Sequence, residues 1–182
     1  MSYEMCNGVG QNPAELDKVR ELYVARKPKR VLEIGVWLGG TLREWLENAT
    51  DGATVVAVDP EHQAPNRYPE WQKPDTNLVV VVGRTGGSAD EKIREHAPYD
   101  WVFIDGDHSP DGVKNDIALT LPLVAEGGLL LLHDIAAEGY PPLAPRLEFD
   151  KLMETHDGWE IVEPTPDWFP SDGGHGIGVV KL

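Results

Sequence analysis

The sequence has a single cysteine, Cys6, and no long uninterrupted apolar run. One cysteine cannot form an internal disulfide, and it excludes a zinc site built from several thiolates. No segment approaches the roughly 20 apolar residues that a membrane-spanning helix needs. The first 30 residues also lack the apolar core of a signal peptide. These absences favour a cytoplasmic protein.

Basic residues are scarce as well. Lys and Arg total 16 against 31 Asp and Glu, which gives a formal net charge of −15. Such a charge repels phosphate backbones and anionic lipid surfaces, so it argues against nucleic acid and membrane as partners. A chain of 182 residues suffices for one domain with a sizeable core and is too short for two. We therefore expect one domain over residues 1–182, with residues 1–28 as an N-terminal helical segment.

Short apolar runs alternate with helix-like stretches, a pattern that predicts an α/β fold with a mostly parallel sheet. The segment 61–76 carries three prolines, which predicts an irregular loop with at most one short turn. The last two apolar runs have no helix between them and predict an antiparallel pair at a sheet edge. The predicted strands are 31–34, 54–58, 78–82, 101–104, 129–132, 159–162 and 176–182, and the predicted helices are 13–27, 41–47 and two that open at Pro110, capped by Ser109, and at Pro145.

The first predicted strand runs into a turn rich in glycine, which joins it to a helix that begins near Thr41. Gly35 permits a tight turn, while Gly39 and Gly40 let a ligand approach backbone N–H groups at the start of that helix. Trp37 stands where the dinucleotide-binding fingerprint has its second glycine. A bulky side chain there would obstruct a pyrophosphate, so the turn favours a ligand without one.

Two acidic residues flank this turn. Glu33 ends an otherwise apolar strand, where it could accept hydrogen bonds or offset the charge of a sulfonium group. Asp59 ends the second predicted strand, where it could accept both hydroxyls of a ribose or, alternatively, cap the turn made with Pro60. Together with the glycine turn, these acids predict a nucleoside-binding cradle from Glu33 to Asp59.

Several motifs further along the chain complete a family pattern. They are Phe103-Ile104-Asp105-Gly106-Asp107-His108, Asp116, Gly127-Gly128, His133-Asp134 and Gly176-Ile177-Gly178-Val179-Val180. With the cradle, they resemble the class I S-adenosylmethionine (SAM)-dependent methyltransferases, and among these the group of sugar and macrolide O-methyltransferases and cephalosporin-biosynthesis proteins. The resemblance covers nearly the whole chain from Val31. It implies a Rossmann-like fold with a seven-stranded, mostly parallel sheet, an antiparallel last strand and helices on both faces.

The resemblance also implies O-methylation of a small-molecule hydroxyl, with SAM bound over the carboxyl ends of the first four strands. Its expected contacts are Glu33, Gly35, Gly39, Gly40, Thr41, Asp59, Gly83, Arg84, Thr85 and Asp105. The glycine-rich turn at residues 84–88 departs from the acidic-serine turn usual in the family, so the adenine contacts follow from position alone.

Five titratable residues at the ends of two strands predict a reaction centre, because ligands of open α/β sheets bind at the carboxyl ends of strands. The resemblance implies a divalent metal, magnesium or manganese, on Asp105, His133 and Asp134, with Asp107 or His108 as the base. His108 titrates near neutral pH, whereas Asp107 would need a raised pKa. The family commonly has a carboxylate at the position of His133. A nitrogen ligand there would favour Mn²⁺, Fe²⁺ or Zn²⁺, or else His133 orients the acceptor.

The acceptor pocket is expected in the loop after Asp134, with Tyr140, Pro141 and Pro142, and around Trp168, Phe169 and residues 173–176, although aromatic residues also pack in cores. Residues 61–76, or a partner subunit of a homo-oligomer, are further sources of substrate selection.

Three other interpretations remain open at this point. An NAD-dependent oxidoreductase is suggested by the Tyr-x-x-x-Lys spacing of Tyr23 and Lys27, but this motif precedes the first strand instead of following the fourth. A SAM-binding module without turnover is the second. The third is a non-haem iron site on His108, His133 and one aspartate.

Overall fold

The fold is built on one twisted sheet between two layers of helices. A computed structural model describes residues 11–136, 144–164 and 176–182, and these include seven strands. The strands are β1 Arg30–Ile34, β2 Thr54–Asp59, β3 Asn77–Val82, β4 Tyr99–Ile104, β5 Val124–His133, β6 Asp157–Ile161 and β7 Ile177–Lys181. Their order in the sheet is β3-β2-β1-β4-β5-β7-β6. The first five strands pair in parallel, while β7 is antiparallel to both β5 and β6. The predicted Rossmann-like fold with an antiparallel last strand is confirmed.

The helices are α1 Pro13–Arg26, α2 Gly40–Glu47, α3 Tyr68–Trp71, α4 Asp90–Glu95, α5 Pro110–Thr120 and α6 Ala144–Met153, with short 3₁₀ segments at Pro65–Arg67 and Leu121–Leu123. Residues of α1, α2 and α3 pack on one face of the sheet, and residues of α4, α5 and α6 pack on the other. The strand residues Val31 and Leu32 are both fully buried because successive side chains point to opposite faces, and each face is covered.

Two helices begin as the sequence predicts. Asn12 caps α1, since its side chain accepts a hydrogen bond from the Ala14 N–H at 3.1 Å, and Pro13 occupies the first helical position. Ser109 caps α5 in the same way, with its hydroxyl oxygen 3.1 Å from the Gly112 N–H. Across the described ranges, no helix combines the length and the hydropathy needed to cross a lipid bilayer.

The structure differs from the predicted elements in three places. Residues 65–71 form two consecutive helical turns where a loop was expected, because Pro65 and Pro69 both lie in first turns, where proline is tolerated. Helix α4 was not predicted; it is six residues long and buries only Ile93. The fifth strand begins at Val124, before the predicted start at residue 129, and it includes Gly127 and Gly128.

Candidate active site

A cleft of about 720 Å³ opens at the carboxyl ends of β1, β2 and β4 and at the residues that follow β3. This volume lies within the usual range of small-molecule sites. Of the predicted site residues, the cleft is lined by Gly35, Gly40, Thr41, Asp59, Gly83, Arg84, Thr85, Asp105, Asp107 and His108. Four others, Glu33, Gly39, His133 and Asp134, are not among the described residues that line it.

The glycine turn after β1 packs directly against the end of β4. Gly35 has a φ of +87°, and a Cβ atom there would lie 2.0 Å from the backbone oxygen of Asp105. No other residue type fits this contact, because the backbone conformation and the missing space both require glycine. At Gly39, with a φ of +81°, a Cβ atom would lie 2.9 Å from the Trp71 ring. The turn is therefore clamped between the strand tips and α3.

Trp37 occupies an uncommon backbone conformation in the same turn. Its φ is +47°, in the left-handed region that bulky residues rarely adopt, and its side chain lies on the cleft wall, 40% exposed. Such conformations cost about 1–3 kcal/mol and cluster at functional sites.

Asp59 holds this conformation in place. Its Oδ2 atom accepts hydrogen bonds from the N–H groups of Val36 at 2.7 Å and Trp37 at 2.9 Å. Its Oδ1 atom accepts one from the Glu61 N–H at 2.7 Å. An ionised carboxylate has about four acceptor positions, so Asp59 braces the turn and still has capacity for a ligand hydroxyl.

Glu33 lies beneath the cleft, 1% exposed, on the sheet face that carries Trp45. Its Oε2 atom has no hydrogen-bond partner within the described part of the chain. Burial raises the pKa of Glu33 well above its usual value, and the negative charges of Asp105 and Asp59 raise it further. Three carboxylates thus crowd one edge of the sheet, an arrangement that a bound positive charge would stabilise.

The ends of β4 and β5 bring two carboxylates and two imidazoles together. The Oδ1 atom of Asp105 lies 3.0 Å from His133 Nδ1 and 3.3 Å from His108 Nε2. His108 Nε2 is also 3.3 Å from Asp134 Oδ2. Asp105, His108 and Asp134 each offer one ligand atom, and these atoms lie within 4.8 Å of one another. The group that could hold a metal ion therefore contains His108, whereas the sequence prediction named His133.

His133 sits below this group with its ring near Phe103, the ring centroids 6.3 Å apart. Its Nδ1 atom faces Asp105 and also lies 3.5 Å from Asp134 Oδ1, while Nε2 is buried and has no partner among the described residues. Burial opposes a charge on this imidazole, but the carboxylates of Asp105 and Asp134 outweigh it and raise the pKa of His133 to about 9.

The same contacts shift the other members of the group. Burial alone would raise the pKa of Asp105, but the charge of His133 and the hydrogen bonds of both histidines lower it well below its usual value. The hydrogen bond to Asp105 raises the pKa of His108, against the effect of its burial. The two histidines and Asp105 therefore stabilise each other's charged forms.

Asp107, the other candidate base, has contacts that lower its pKa. Its Oδ1 atom accepts a hydrogen bond from the Ser109 N–H at 2.9 Å, and Ser109 lowers the pKa of Asp107. Arg84 lies 3.7 Å from its other oxygen. A general base near neutral pH needs the opposite shift, so the geometry favours His108 over Asp107.

Comparison with known proteins shows the family of the chain. Residues 32–135 match a family described as a methyltransferase domain. The chain belongs to this family.

The methyltransferase is similar to a rhamnosyl O-methyltransferase of Mycobacterium leprae (strain TN), with 26% identity over 165 residues that cover 87% of this chain and 67% of the relative. Among solved structures, an O-methyltransferase from Bacillus cereus in complex with S-adenosylhomocysteine (SAH) gives a TM-score of 0.67 at 14% identity, covering 93% of this chain and 81% of that chain. The MycE methyltransferase of the mycinamycin pathway, in complex with Mg, SAH and mycinamycin VI, gives 0.61 at 18% identity, covering 91% of this chain and 48% of that chain. The predicted class, a SAM-dependent methyltransferase that resembles sugar and macrolide O-methyltransferases, is confirmed.

Tyr23 has a structural place in the methyltransferase. It is fully buried, and its hydroxyl donates to the Trp45 backbone oxygen at 3.1 Å. Burial raises the pKa of Tyr23, whereas a catalytic tyrosine of the dehydrogenase type needs a lowered one. The Tyr-x-x-x-Lys spacing is thus a feature of the packing of α1.

Two residues of the candidate site carried no predicted role. Gln11 lines the cleft and contacts Asp105, and the sequence gives only the neighbouring signal of a helix cap at Asn12. Asp116, on α5, is buried against the cleft wall and accepts a hydrogen bond from Thr85. The residues expected to form the acceptor pocket, Tyr140, Pro141, Pro142, Trp168, Phe169 and 173–175, lie outside the described residues.

Proposed function

We propose that the methyltransferase transfers the methyl group of SAM to a hydroxyl oxygen of a small molecule, assisted by a divalent cation. One observation carries the proposal: a nucleoside-sized cleft adjoins the Asp105–His108–Asp134 group at the strand tips. Methyl transfer to oxygen needs an oriented acceptor and removal of its proton, and both can take place where these two features meet. In this proposal residues 1–182 work as one catalytic domain, with 1–28 as its N-terminal segment.

The acidic edge of the cleft suits SAM. SAM carries a sulfonium and an ammonium group, and the carboxylates of Glu33, Asp59 and Asp105 meet at that edge. The buried Oε2 atom of Glu33, which has no hydrogen-bond partner among the described residues, adds support, because a nearby positive charge would offset the cost of burying it. We assign the ribose hydroxyls to Asp59, the methionine end to Gly35, Gly39, Gly40 and Thr41, and the adenine to Gly83, Arg84 and Thr85.

The donor set of the Asp-His-Asp group fits a divalent cation held by Asp105, His108 and Asp134. Ligands about 2.0–2.3 Å from one ion are themselves separated by roughly 3.0–3.5 Å, and His108 Nε2 is 3.3 Å from an oxygen of each carboxylate. A cation bound there would lower the pKa of the acceptor hydroxyl and hold its oxygen in line with the methyl group. The nitrogen ligand favours Mn²⁺, Fe²⁺ or Zn²⁺ over Mg²⁺, although MycE was solved with Mg.

His108 is central with or without a cation. Without one, its Nε2 atom is the group placed to accept the hydroxyl proton, because the carboxylates of Asp105 and Asp134 would stabilise the resulting imidazolium. His108 also lies on the cleft wall and its side chain is 43% exposed, so an acceptor can reach it.

The acceptor we propose is a sugar hydroxyl. The support comes from the relative named as a rhamnosyl O-methyltransferase, which matches 87% of this chain. The predicted acceptor loops remain candidates for its recognition.

The cofactor assignment is tested by isothermal titration with SAM and SAH. We expect wild-type protein to bind SAH and Asp59→Ala to bind it at least about tenfold more weakly, because the turn loses its brace and the ribose loses an acceptor. Glu126→Gln, which removes the same formal charge from an exposed position, is the control and should bind like wild type. Wild-type protein that bound neither SAM nor SAH would overturn the proposal.

The cation is tested with Asp134→Asn, because asparagine tolerates the φ of +63° found at this position. This variant should lose Mn²⁺ binding and keep its SAH affinity within about threefold. Methyl transfer is then measured with radiolabelled SAM and methyl α-L-rhamnopyranoside, with Mn²⁺ or with EDTA. Equal turnover with Mn²⁺ and with EDTA would show that the reaction needs no cation, and His108 would then be the base. Turnover by His108→Gln equal to that of wild type would contradict both roles of this histidine.

A further inference from the structure

Gln11 is a buried amide that touches both halves of the site. It precedes α1, is 3% exposed and lines the cleft. Its Nε2 atom donates to Asp105 Oδ2 at 2.5 Å, and its Oε1 atom accepts from the Thr41 hydroxyl at 2.9 Å. One side chain therefore connects the reaction centre with the first turn of α2, on the cofactor side.

The chemistry of the partners fixes the orientation of this amide. The Gln11 amide faces a carboxylate oxygen of Asp105, and an aspartate carboxylate only accepts hydrogen bonds. The NH₂ group of Gln11 must therefore face Asp105, which leaves its oxygen to accept from Thr41. A flipped amide would place an oxygen against the Asp105 carboxylate and lose this hydrogen bond.

The two carboxylate oxygens of Asp105 have different hydrogen-bond partners. The amide occupies Oδ2, while Oδ1 faces His108 and His133. Rotation of the carboxylate would take Oδ1 away from His108 and would break the bond to Gln11 at the same time. We propose that Gln11 is a positioning residue that holds Asp105 Oδ1 toward the cation-binding group. The inference rests on the proposed function for the role of the cation.

Neighbouring hydrogen bonds hold the backbone at Gln11 in place. The Asn12 amide donates to the backbone oxygens of Glu163, at 3.1 Å, and Pro164. Glu15, fully buried, accepts hydrogen bonds from the N–H groups of Glu163 at 3.0 Å and Gly176 at 2.9 Å. The first turn of α1 is thereby tied to the chain after β6 and before β7. A fixed backbone makes a short side-chain bridge an effective restraint, because little freedom remains for the amide to move.

Replacing Gln11 by Met keeps the length of the side chain and removes the donor. Partners that orient metal-ligating groups typically contribute 10–100-fold to metal affinity, so we expect Gln11→Met to bind Mn²⁺ about 10–100-fold more weakly. SAH affinity should stay within about threefold, because solvent in the cleft can reach the released Asp105 oxygen. Thr41→Val removes only the hydrogen bond to the Oε1 atom of Gln11 and should weaken Mn²⁺ binding less than Gln11→Met does. Glu15→Gln, on the same turn, is the control for altered packing of α1.

Mn²⁺ binding is measured by electron paramagnetic resonance on each variant, together with SAH titration and thermal unfolding. A purely structural role predicts a lower unfolding temperature with unchanged Mn²⁺ affinity, and that result would overturn the proposal. A crystal structure of Gln11→Met supplies a readout that needs no cation. We expect Asp105 Oδ1 to have left His108 Nε2, and an unmoved carboxylate would also overturn it. If wild-type protein binds no Mn²⁺, only the proposed role of the cation is refuted. The crystal structure of Gln11→Met still decides whether Gln11 positions Asp105.

Discussion

Asp116 offers a quantitative test of the electrostatics beneath the candidate active site. It is 2% exposed, its Oδ1 atom accepts a hydrogen bond from Thr85, and its Oδ2 atom has no partner among the residues that the structure describes. Burial, reinforced by the charge of Asp107, raises the pKa of Asp116 from 3.8 to about 6. The ionised form therefore destabilises the fold at neutral pH, and Asp116→Asn should stabilise it.

The magnitude follows from linkage between protonation and folding. A carboxyl group whose pKa is higher in the folded state contributes stability below its unfolded pKa, and this contribution is lost as the pH rises through its folded pKa. The difference between 3.8 and about 6 corresponds to about 3 kcal/mol at pH 7.5. The amide NH₂ that replaces Oδ2 would itself lack an acceptor, which costs about 1–2 kcal/mol. The net gain should be about 1–2 kcal/mol, or roughly 3–6 °C in unfolding temperature for a chain of this size.

Thermal unfolding of wild type and Asp116→Asn at pH 7.5 and pH 4.5 measures this effect. The gain should disappear at the lower pH, where the folded wild-type protein already carries the proton on Asp116. Glu126→Gln removes an equal formal charge at an exposed position and corrects for the net charge of −15. A gain of the same size at both pH values, or an equal gain in the control, would refute the reasoning.

Three further predictions follow from buried contacts. Gly35→Ala should abolish SAH binding in titration calorimetry, because the new methyl group would overlap the backbone of Asp105; unchanged affinity would contradict the packing of the turn. Glu15→Ala should lower the free energy of unfolding in urea by about 2–5 kcal/mol, since one buried and one part-buried N–H group lose their acceptor, and Glu15→Gln should lose less. In EDTA, stability should fall by on the order of 2–3 kcal/mol between pH 6.5 and 9, as His133 loses the proton that its raised pKa retains, and this fall should be absent in His133→Gln.

Much of the fold was predictable because its signals are local. Apart from Glu33, the run from Val31 to Ile34 is apolar because both of its faces are covered, and the Ser109-Pro110 pair opens a helix by capping. Helix α4 was missed because its six residues bury a single apolar side chain and give no periodic pattern. The helical turns at 65–71 do not follow from the sequence pattern, because proline usually breaks a helix but stands here at helix starts.

The candidate site was predictable at the strand tips and less so beyond them. Asp105 and Asp134 follow buried strands, so their convergence could be expected. His133 still belongs to β5. Because side chains alternate between the two faces of a strand, its side chain lies on the same face as Phe103, below the Asp105–His108–Asp134 group. His108 reaches both carboxylates because the loop after β4 curls back, and no periodicity encodes the path of a loop. Gln11 is distant in sequence from its partners, which only the tertiary structure brings to it.

The position of β7 has a consequence for assembly. Although β6 precedes it in the chain, β6 has no neighbour in the sheet until Ile177–Lys181 has threaded between it and β5. A chain interrupted before Ile177 would lose the pairing of two strands and expose the apolar edge of β5, from Leu129 to Leu132. Truncated chains would thus present an unpaired, apolar edge strand to one another, and we expect them to aggregate.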